Sequence, residues 1–332
     1  MSNSIFQNEN LSKEFCSGKD YTLAPSGQNT ESPLMKSSGE EQSSGKIAIC
    51  ISGFIRTWKS NKNSFINELC KDIDVSKEQK SASSKSSGKK QNQIKNWSGD
   101  IFVHTYRQNY FEHSSKKENN ILSNDELISL FSDLNIKGLY VEDREKILPL
   151  IEKIGEQYKN INYYSNEIKE SSSVSSKTVK YGIRILDQIR KIEGCNDLRK
   201  QYENITHTKY EYVIKTRFDA HYLSSPDWNI IDSDIHKIST LYISYGATGG
   251  YPDDICAISI PEVMDKSHAN RFSKLDSIMS FSKPNDARIF CAHYIMRCLA
   301  FMNNISMVPI INIVVYRTEN SYHKVGVGTV NV

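Results

Sequence analysis

The sequence predicts an α/β protein, a three-layer α/β/α sandwich around a mostly parallel central sheet. Two observations carry this. Short apolar runs of strand length alternate along the chain with longer stretches in which apolar residues recur every three or four positions. The clearest of the short runs, KIAICISG and DIFVHTY, are apolar almost throughout, as strands covered on both faces are.

Residues 1–45 are rich in Ser, Asn, Gln, Glu and Gly, have no apolar period, and are expected to be a disordered tail. Folded chain is expected from residue 46 to about residue 317, as one domain, with a short C-terminal tail over 318–332. KIAICISG (Lys46 to Gly53) reads as the first buried strand, stopped by glycine, and a helix across Phe65 to Ile73 follows. Residues 75–95 form a Ser- and Lys-rich run that reads as a solvated, disordered insertion. DIFVHTY (Asp100 to Tyr106) is the second strand. SNDELISLFSDL (Ser123 to Leu134) opens with Ser and an acid three residues on, a capping pattern, and reads as a helix. KGLYVED (Lys137 to Asp143) is the third strand, and REKILPLIEKIGEQY a helix with a kink expected at Pro149.

A longer helix is expected near Val174 to Ile192, with Tyr181, Ile185, Ile189 and Ile192 on one face; a second helical piece, NDLRKQYENI, is expected after Gly194. YEYVIKTRFD is the fourth strand. Further strands are expected at Ser239 to Ser244 and Ile255 to Ile260, a helix from Pro261, another near Asp286 to Phe301, and a last strand over Met307 to Tyr316.

Charge and cysteine content narrow the function classes. Lys plus Arg total 42 against 39 Asp plus Glu, a net charge of +3, which lacks the clustered basic surplus of a nucleic-acid binder. The seven cysteines are odd in number, irregularly spaced and without a C-x-x-C pair, a pattern of free thiols in a reducing compartment. The N-terminal residues lack the apolar core of a signal peptide, and the most apolar late stretch, VPIINIVV, is far shorter than a bilayer span. A cytoplasmic or virus-associated setting is the expectation.

In an open α/β sheet ligands bind beyond the carboxyl ends of the strands, so the residues delivered there are the candidates. The first strand delivers Ser52, Gly53 and Arg56; the fourth delivers Arg217 and Asp219; the segment before the sixth delivers Asp253 and Asp254. Arginine forks beside isolated and paired carboxylates suit a phosphorylated ligand, with a carboxylate able to hold a divalent ion against it. A P-loop, a G-x-G-x-x-G turn after the first strand, a G-x-S-x-G elbow and a zinc-type Cys/His spacing are all absent. His104 reads as a core histidine.

ICISGFIRTW, DIFVHTY, YEYVIKTRFD and PDDICAIS, in this order, resemble a family of GT-A-like glycosyltransferases of viral, bacterial and protist origin, in the style of the WavE-type lipopolysaccharide synthesis proteins. That family shows S-G-x-x-R, D-I-F-x-H-T, R-x-D and D-D-x-x-A-I segments. The resemblance implies a GT-A-like fold with a Rossmann-like nucleotide-binding half, a nucleotide-sugar donor and a glycan or other hydroxyl acceptor. It assigns Arg56, Ser52, Gly53, Arg217 and Asp219 to the donor, with Asp219 as ligand of any Mn²⁺ or Mg²⁺. Asp254, and next to it Asp253, fall where a base would deprotonate the acceptor. Arg217 stands where GT-A enzymes place the first acid of D-x-D, which puts metal dependence in doubt and makes Arg217 itself a candidate for the pyrophosphate. A non-catalytic carbohydrate-binding or scaffold relative and a nucleotidyltransferase are the alternatives.

Overall fold

A computed structural model describes residues 22–23, 45–76, 97–109, 120–159, 172–245, 253–281, 292–318 and 321–323. Its main sheet contains β1 (Thr22–Leu23), β2 (Lys46–Gly53), β3 (Ile73–Asp74), β4 (Trp97–Tyr106), β7 (Ile136–Glu142), β8 (Tyr212–Arg217), β10 (Thr240–Ser244), β11 (Asp253–Ser259) and β12 (Ser306–Ile311). The remaining strands are β5 (Gln108–Asn109) paired with β6 (Asn120–Ile121), and a three-stranded sheet of β9 (Ala220–Tyr222), β13 (Ile313–Thr318) and β14 (Ser321–His323).

The main order is β1-β7-β4-β2-β8-β11-β10-β12, with β3 beside β4. Strands β7, β4, β2 and β8 run parallel, as do β10 and β12, while β11 is antiparallel to both of its neighbours. The chain builds outward from β2 through β4 to β7, then returns to lay β8 on the other side of β2. That reversal opens a crevice at the carboxyl ends of β2 and β8, where an open α/β sheet holds its ligand.

Helices cover both faces, as the fold class requires. One face carries the helix Trp58–Ser64, its continuation in wider turns over Phe65–Leu69, and the helices Asn124–Leu130 and Trp228–Ser233; Trp58, Phe65, Leu127 and Ile231 join Ile49, Ile51 and Ile214 in one core. The opposite face carries the helix Ser172–Thr206, whose Cys195 and Leu198 pack on Ala48, Cys50, Phe102 and Val213, together with the helix Ala292–Met302. The expected capping box is present: Ser123 Oγ accepts from the Glu126 amide at 3.2 Å, and Glu126 accepts from the Ser123 amide at 2.8 Å.

Several boundaries differ from expectation for physical reasons. The helix after β2 begins at Trp58 rather than Phe65 and ends before Ile73, which instead pairs beside β4. Gly194 does not split the long helix. A Cβ there would come within 2.6 Å of His104 Nδ1, so the glycine lets the buried His104 ring lie directly against the helix backbone. The last apolar run is two strands: Ile311 pairs with Ser244 in the main sheet, Ile313 with Tyr222 in the small one, and Asn312 turns between them. Val75, placed in the insertion by composition, is buried in the core. Thr22–Leu23 lies inside the expected tail yet pairs with the outer edge of β7, and Ser321–His323 lies in the expected C-terminal tail yet pairs with β13. Residues 1–21 and 24–44 of the N-terminal tail and residues 77–95 of the insertion fall outside the described residues, as do 282–291, where the Asp286 helix was expected to begin.

Candidate functional site at the β2/β8 edge

Alternation along β8 sends Tyr212, Ile214 and Thr216 to the face of Trp58 and sends Val213, Lys215 and Arg217 to the face of the long helix. Phe218 then anchors the chain. It is 1% exposed, and its ring lies 5.5 Å from that of Trp58 and 6.0 Å from that of Phe131. Its carbonyl accepts from Asn61 Nδ2 at 3.1 Å and Thr57 Oγ1 at 3.5 Å, which ties the turn after β8 to the turn and helix that follow β2. Arg217 and Asp219, on either side of this anchor, face each other. Arg217 Nε donates to Asp219 Oδ1 at 2.8 Å and Nη2 to Oδ2 at 2.6 Å, a two-pronged ion pair.

Strand β11 brings the paired acids to the same edge. Both acids belong to the strand itself, not to a segment before it, and β11 runs antiparallel to β8 with Ala257 opposite Lys215. Its first residues therefore meet the last residues of β8. Lys215, 2% exposed, donates its Nζ to the Asp254 carbonyl at 2.5 Å. Asp254 Oδ2 accepts from Gln188 Nε2 at 2.6 Å and lies 3.5 Å from Nη1 of the fully buried Arg271. The Asp254 amide donates to His293 Nδ1 at 3.1 Å. Nδ1 also lies 3.4 Å from Asp254 Oδ1 and 3.7 Å from Asp253 Oδ1. One ligand atom each from Asp253, Asp254 and His293 fits within a 4.8 Å span, close enough together to hold a metal ion.

The two adjacent acids are electrostatically unlike. Burial pushes both upward. For Asp254, His293, Lys215, Arg271 and Arg217 outweigh burial and hold the carboxyl far below the usual range. For Asp253, burial and the Asp254 charge prevail and push it up to about 6. The Asp253 carboxylate accepts the Ile255 amide at 3.2 Å, and no other hydrogen bond reaches it among the described residues. Burial, with Arg271 and Arg217 adding to it, pushes Lys215 down to about 7.

A second charged group flanks the crevice beneath β4 and β7. Glu142 takes a two-pronged fork from Arg190, with Nη1 to Oε1 at 2.7 Å, and His104 Nε2 lies 3.2 Å from Glu142 Oε2. Asp187 accepts from Tyr106 Oη at 2.6 Å and Lys191 Nζ at 2.7 Å. The Lys191 ammonium sits 3.2 Å from the centroid of the Tyr106 ring and 5.1 Å from that of Phe54, in the loop after β2. Asp187 and Gln188, neighbours on the long helix, thus serve the two groups in turn.

Of the residues singled out by sequence, Arg217, Asp219, Asp253 and Asp254 meet at this edge, with Ser52 and Gly53 at the end of the adjacent β2. Gly53 has φ +122°, a conformation that L side chains rarely adopt. Its carbonyl accepts from Thr105 Oγ1 at 2.8 Å. Arg56 lies in the turn Ile55–Thr57, and its side chain is outside the described residues. Asp219, the expected metal ligand, has both oxygens on Arg217 and is not part of the Asp253–Asp254–His293 group. Sequence reasoning missed Lys215, Gln188, Arg271 and His293. Lys215 stood in the quoted strand as a lone charge in an apolar run, a signal that a partner must be buried beside it; the other three lie on helices or turns without a motif.

No family model matches the chain, and no curated protein matches it. Among solved structures it is similar to the apo form of WbbM, a bifunctional glycosyltransferase, at 9% identity and a TM-score of 0.34, over 82% of this chain and 40% of that one. It is also similar to the apo form of mouse xyloside xylosyltransferase 1, at 6% identity and a TM-score of 0.29, over 80% of this chain and 84% of that one. The chain spans about 40% of the length of the WbbM structure. At such scores these likenesses carry no argument about activity.

Proposed function

We propose that this chain is a glycosyltransferase that moves a sugar from a nucleotide-sugar donor to a hydroxyl acceptor. The observation that carries the reading is the meeting, at the reversal point of the sheet, of three of the four segments on which the resemblance rests. These are the glycine-ended β2, the R-F-D turn after β8 and the D-D start of β11.

The donor's diphosphate would lie over Ser52 and Gly53, approached by Arg56, with its oxygens on the Arg217 fork. As the bond between the sugar's anomeric carbon and the diphosphate breaks, negative charge grows on the leaving oxygen, where a fixed guanidinium stabilises it most. The acceptor oxygen forms the new bond to that carbon and gives its proton to a base. Asp253 suits this task better than Asp254: its carboxyl is pushed up to about 6, near working pH, whereas Asp254 is held ionised by the cations around it. A base in that role implies direct displacement with inversion at the sugar.

The test is transfer or hydrolysis measured over a panel of UDP-, GDP- and dTDP-sugars. We expect Asp253→Asn to lower turnover by about 10²- to 10⁴-fold, the range for loss of a general base, while donor binding stays. Donor binding without turnover in the parent protein would instead make the chain a non-catalytic relative. Turnover of nucleoside triphosphates in place of sugars would make it a nucleotidyltransferase.

A further inference from the structure

We propose that Arg217, backed by Lys215 and Arg271, supplies the positive charge that the resemblance assigns to a divalent ion, so that the donor's diphosphate binds without a metal. The proposal rests on the glycosyltransferase reading and decides its cofactor.

The metal position implied by the resemblance does not suit one. Both oxygens of Asp219 are taken by the Arg217 guanidinium at 2.8 and 2.6 Å, and Arg217 is only two residues away on the same strand end. A dication on Asp219 would have to displace this two-pronged ion pair and then stand beside the freed guanidinium, a repulsion between like charges. The neighbouring Asp253–Asp254–His293 group meets the distance requirement but not the charge requirement. Asp254 Oδ2 already has Gln188 at 2.6 Å and Arg271 at 3.5 Å. The Asp254 amide occupies the lone pair of His293 Nδ1, and Lys215 Nζ stands at the Asp254 carbonyl. Lys215 and Arg271 are 2% and 0% exposed, so neither can swing into solvent to relieve a dication placed beside them.

The same charges explain what binds instead. Lys215, Arg217 and Arg271 balance Asp219, Asp253 and Asp254 one for one, and only Arg217 of the three cations is open toward the crevice, its side chain 25% exposed. Its planar fork already makes two parallel bonds to a carboxylate, the geometry that also fits two oxygens of a phosphate. A diphosphate arriving at the β2/β8 edge offers the fork a more highly charged partner. Arg217 shares its fork between Asp219 and the ligand, while Lys215 and Arg271 keep Asp253 and Asp254 neutralised. The chemical class recognised is a nucleoside diphosphate group carrying no bound metal.

Calorimetric titration of the full chain with UDP and with GDP, once in excess EDTA and once in excess MnCl₂, tests this. We expect one of the two nucleotides to bind with affinities within about threefold in the two buffers, less than the tenfold that a 1.4 kcal/mol difference would produce. Arg217→Gln should weaken binding about tenfold or more in both, the loss expected when a charge-assisted fork is removed. Asp219→Asn, which keeps the side chain's shape, should bind as tightly as the parent or more tightly, because its Arg217 is no longer held. Binding that appears only with Mn²⁺, or that Asp219→Asn abolishes, overturns the proposal. So does chelator-resistant binding that both Arg217→Gln and Arg217→Lys leave unchanged. If neither nucleotide binds in either buffer, the glycosyltransferase reading fails first, and the proposal with it. Thermal unfolding of each variant separates lost contacts from lost folding.

Discussion

Replacing Asp253 with Asn should make the protein more stable at neutral pH. Asp253 is 3% exposed, stands beside the ionised Asp254, and is pushed up to about 6 from an ordinary value of 3.8. Its ionised form is therefore disfavoured in the folded state relative to the unfolded chain. A difference of a little over two pH units, at about 1.36 kcal/mol each, is about 3 kcal/mol of destabilisation. The sign follows from proton counting. Between the unfolded value near 4 and the folded value near 6, the folded state holds more protons, so stability falls as pH rises through this window. Below it the cost is absent, and above it the cost is fully present. Asparagine keeps an oxygen for the Ile255 amide and removes the charge. Urea unfolding of parent and Asp253→Asn should thus show a gain of about 2–3 kcal/mol at pH 7 that shrinks toward zero near pH 4. A variant less stable than the parent at pH 7, or a gain of equal size at both pH values, would refute this account of the site's electrostatics.

Other substitutions probe the scaffold that holds the site. Gly194→Ala should destabilise by about 1–3 kcal/mol despite alanine's better helix propensity, because the new Cβ meets the His104 ring at 2.6 Å; Gly155→Ala, whose Cβ would find ordinary contacts at 3.5 and 3.6 Å, should gain up to about 1 kcal/mol, and paired denaturation curves distinguish the two. Glu142→Gln leaves the buried Arg190 without a full counter-charge and should cost about 3–5 kcal/mol in the same assay. Against burial, His104 and Arg190 hold Glu142, Lys191 and Arg190 hold Asp187, and the cations around Asp254 hold that acid, each below the usual carboxylate range. Stability they contribute at neutral pH should fall away as pH drops below about 4, seen as a falling unfolding midpoint. Ser123→Ala removes a capping-box donor and acceptor and should cost about 1 kcal/mol, read from the urea midpoint.

Strand positions were legible because apolar runs of strand length are rare outside buried sheets; KIAICISG is β2 to the residue. Where one run serves two sheets the signal fails, since VPIINIVV is apolar on both sides of Asn312 and only pairing partners distinguish its halves. Gly194 misled for a related reason. Local propensity reads glycine in a helix as a break, whereas the deciding contact is with His104, about 90 residues earlier in the chain. That Ser52, Gly53, Arg217 and Asp219 share an edge was legible because the carboxyl ends of parallel strands point the same way. Arg271 and His293 were not, because nothing local distinguishes a basic side chain on a turn or helix aimed at a buried acid from one aimed at water.

One topological fact does most to make the site, and sequence pattern alone does not contain it. At about 3.3 Å per residue, the seven residues of β11 span roughly 20 Å. Had β11 run parallel to β8, Asp253 and Asp254 would open the strand at the far edge, away from Arg217. Lys215 would then sit as a bare ammonium in an apolar layer, at a cost of several kcal/mol. Reversal of this single strand brings the acids to the end of β8. The register places Ala257 opposite Lys215, and carried four residues further it would set Asp253 level with Asp219. The charges in K-T-R-F-D and in D-D are therefore complementary halves of one arrangement. A lysine inside β8 is tolerable only if β11 is antiparallel, and the paired acids are tolerable in a buried strand only if cations such as Lys215 and Arg271 lie beneath them. A double substitution, Lys215→Met with Asp254→Asn, tests that dependence. Each single change should destabilise by removing a charge that offsets its neighbour's, Lys215 lying at the Asp254 main-chain carbonyl, and the double should recover part of the loss, a coupling of about 1–3 kcal/mol. Purely additive losses would show that the two ends of the sheet edge do not depend on each other.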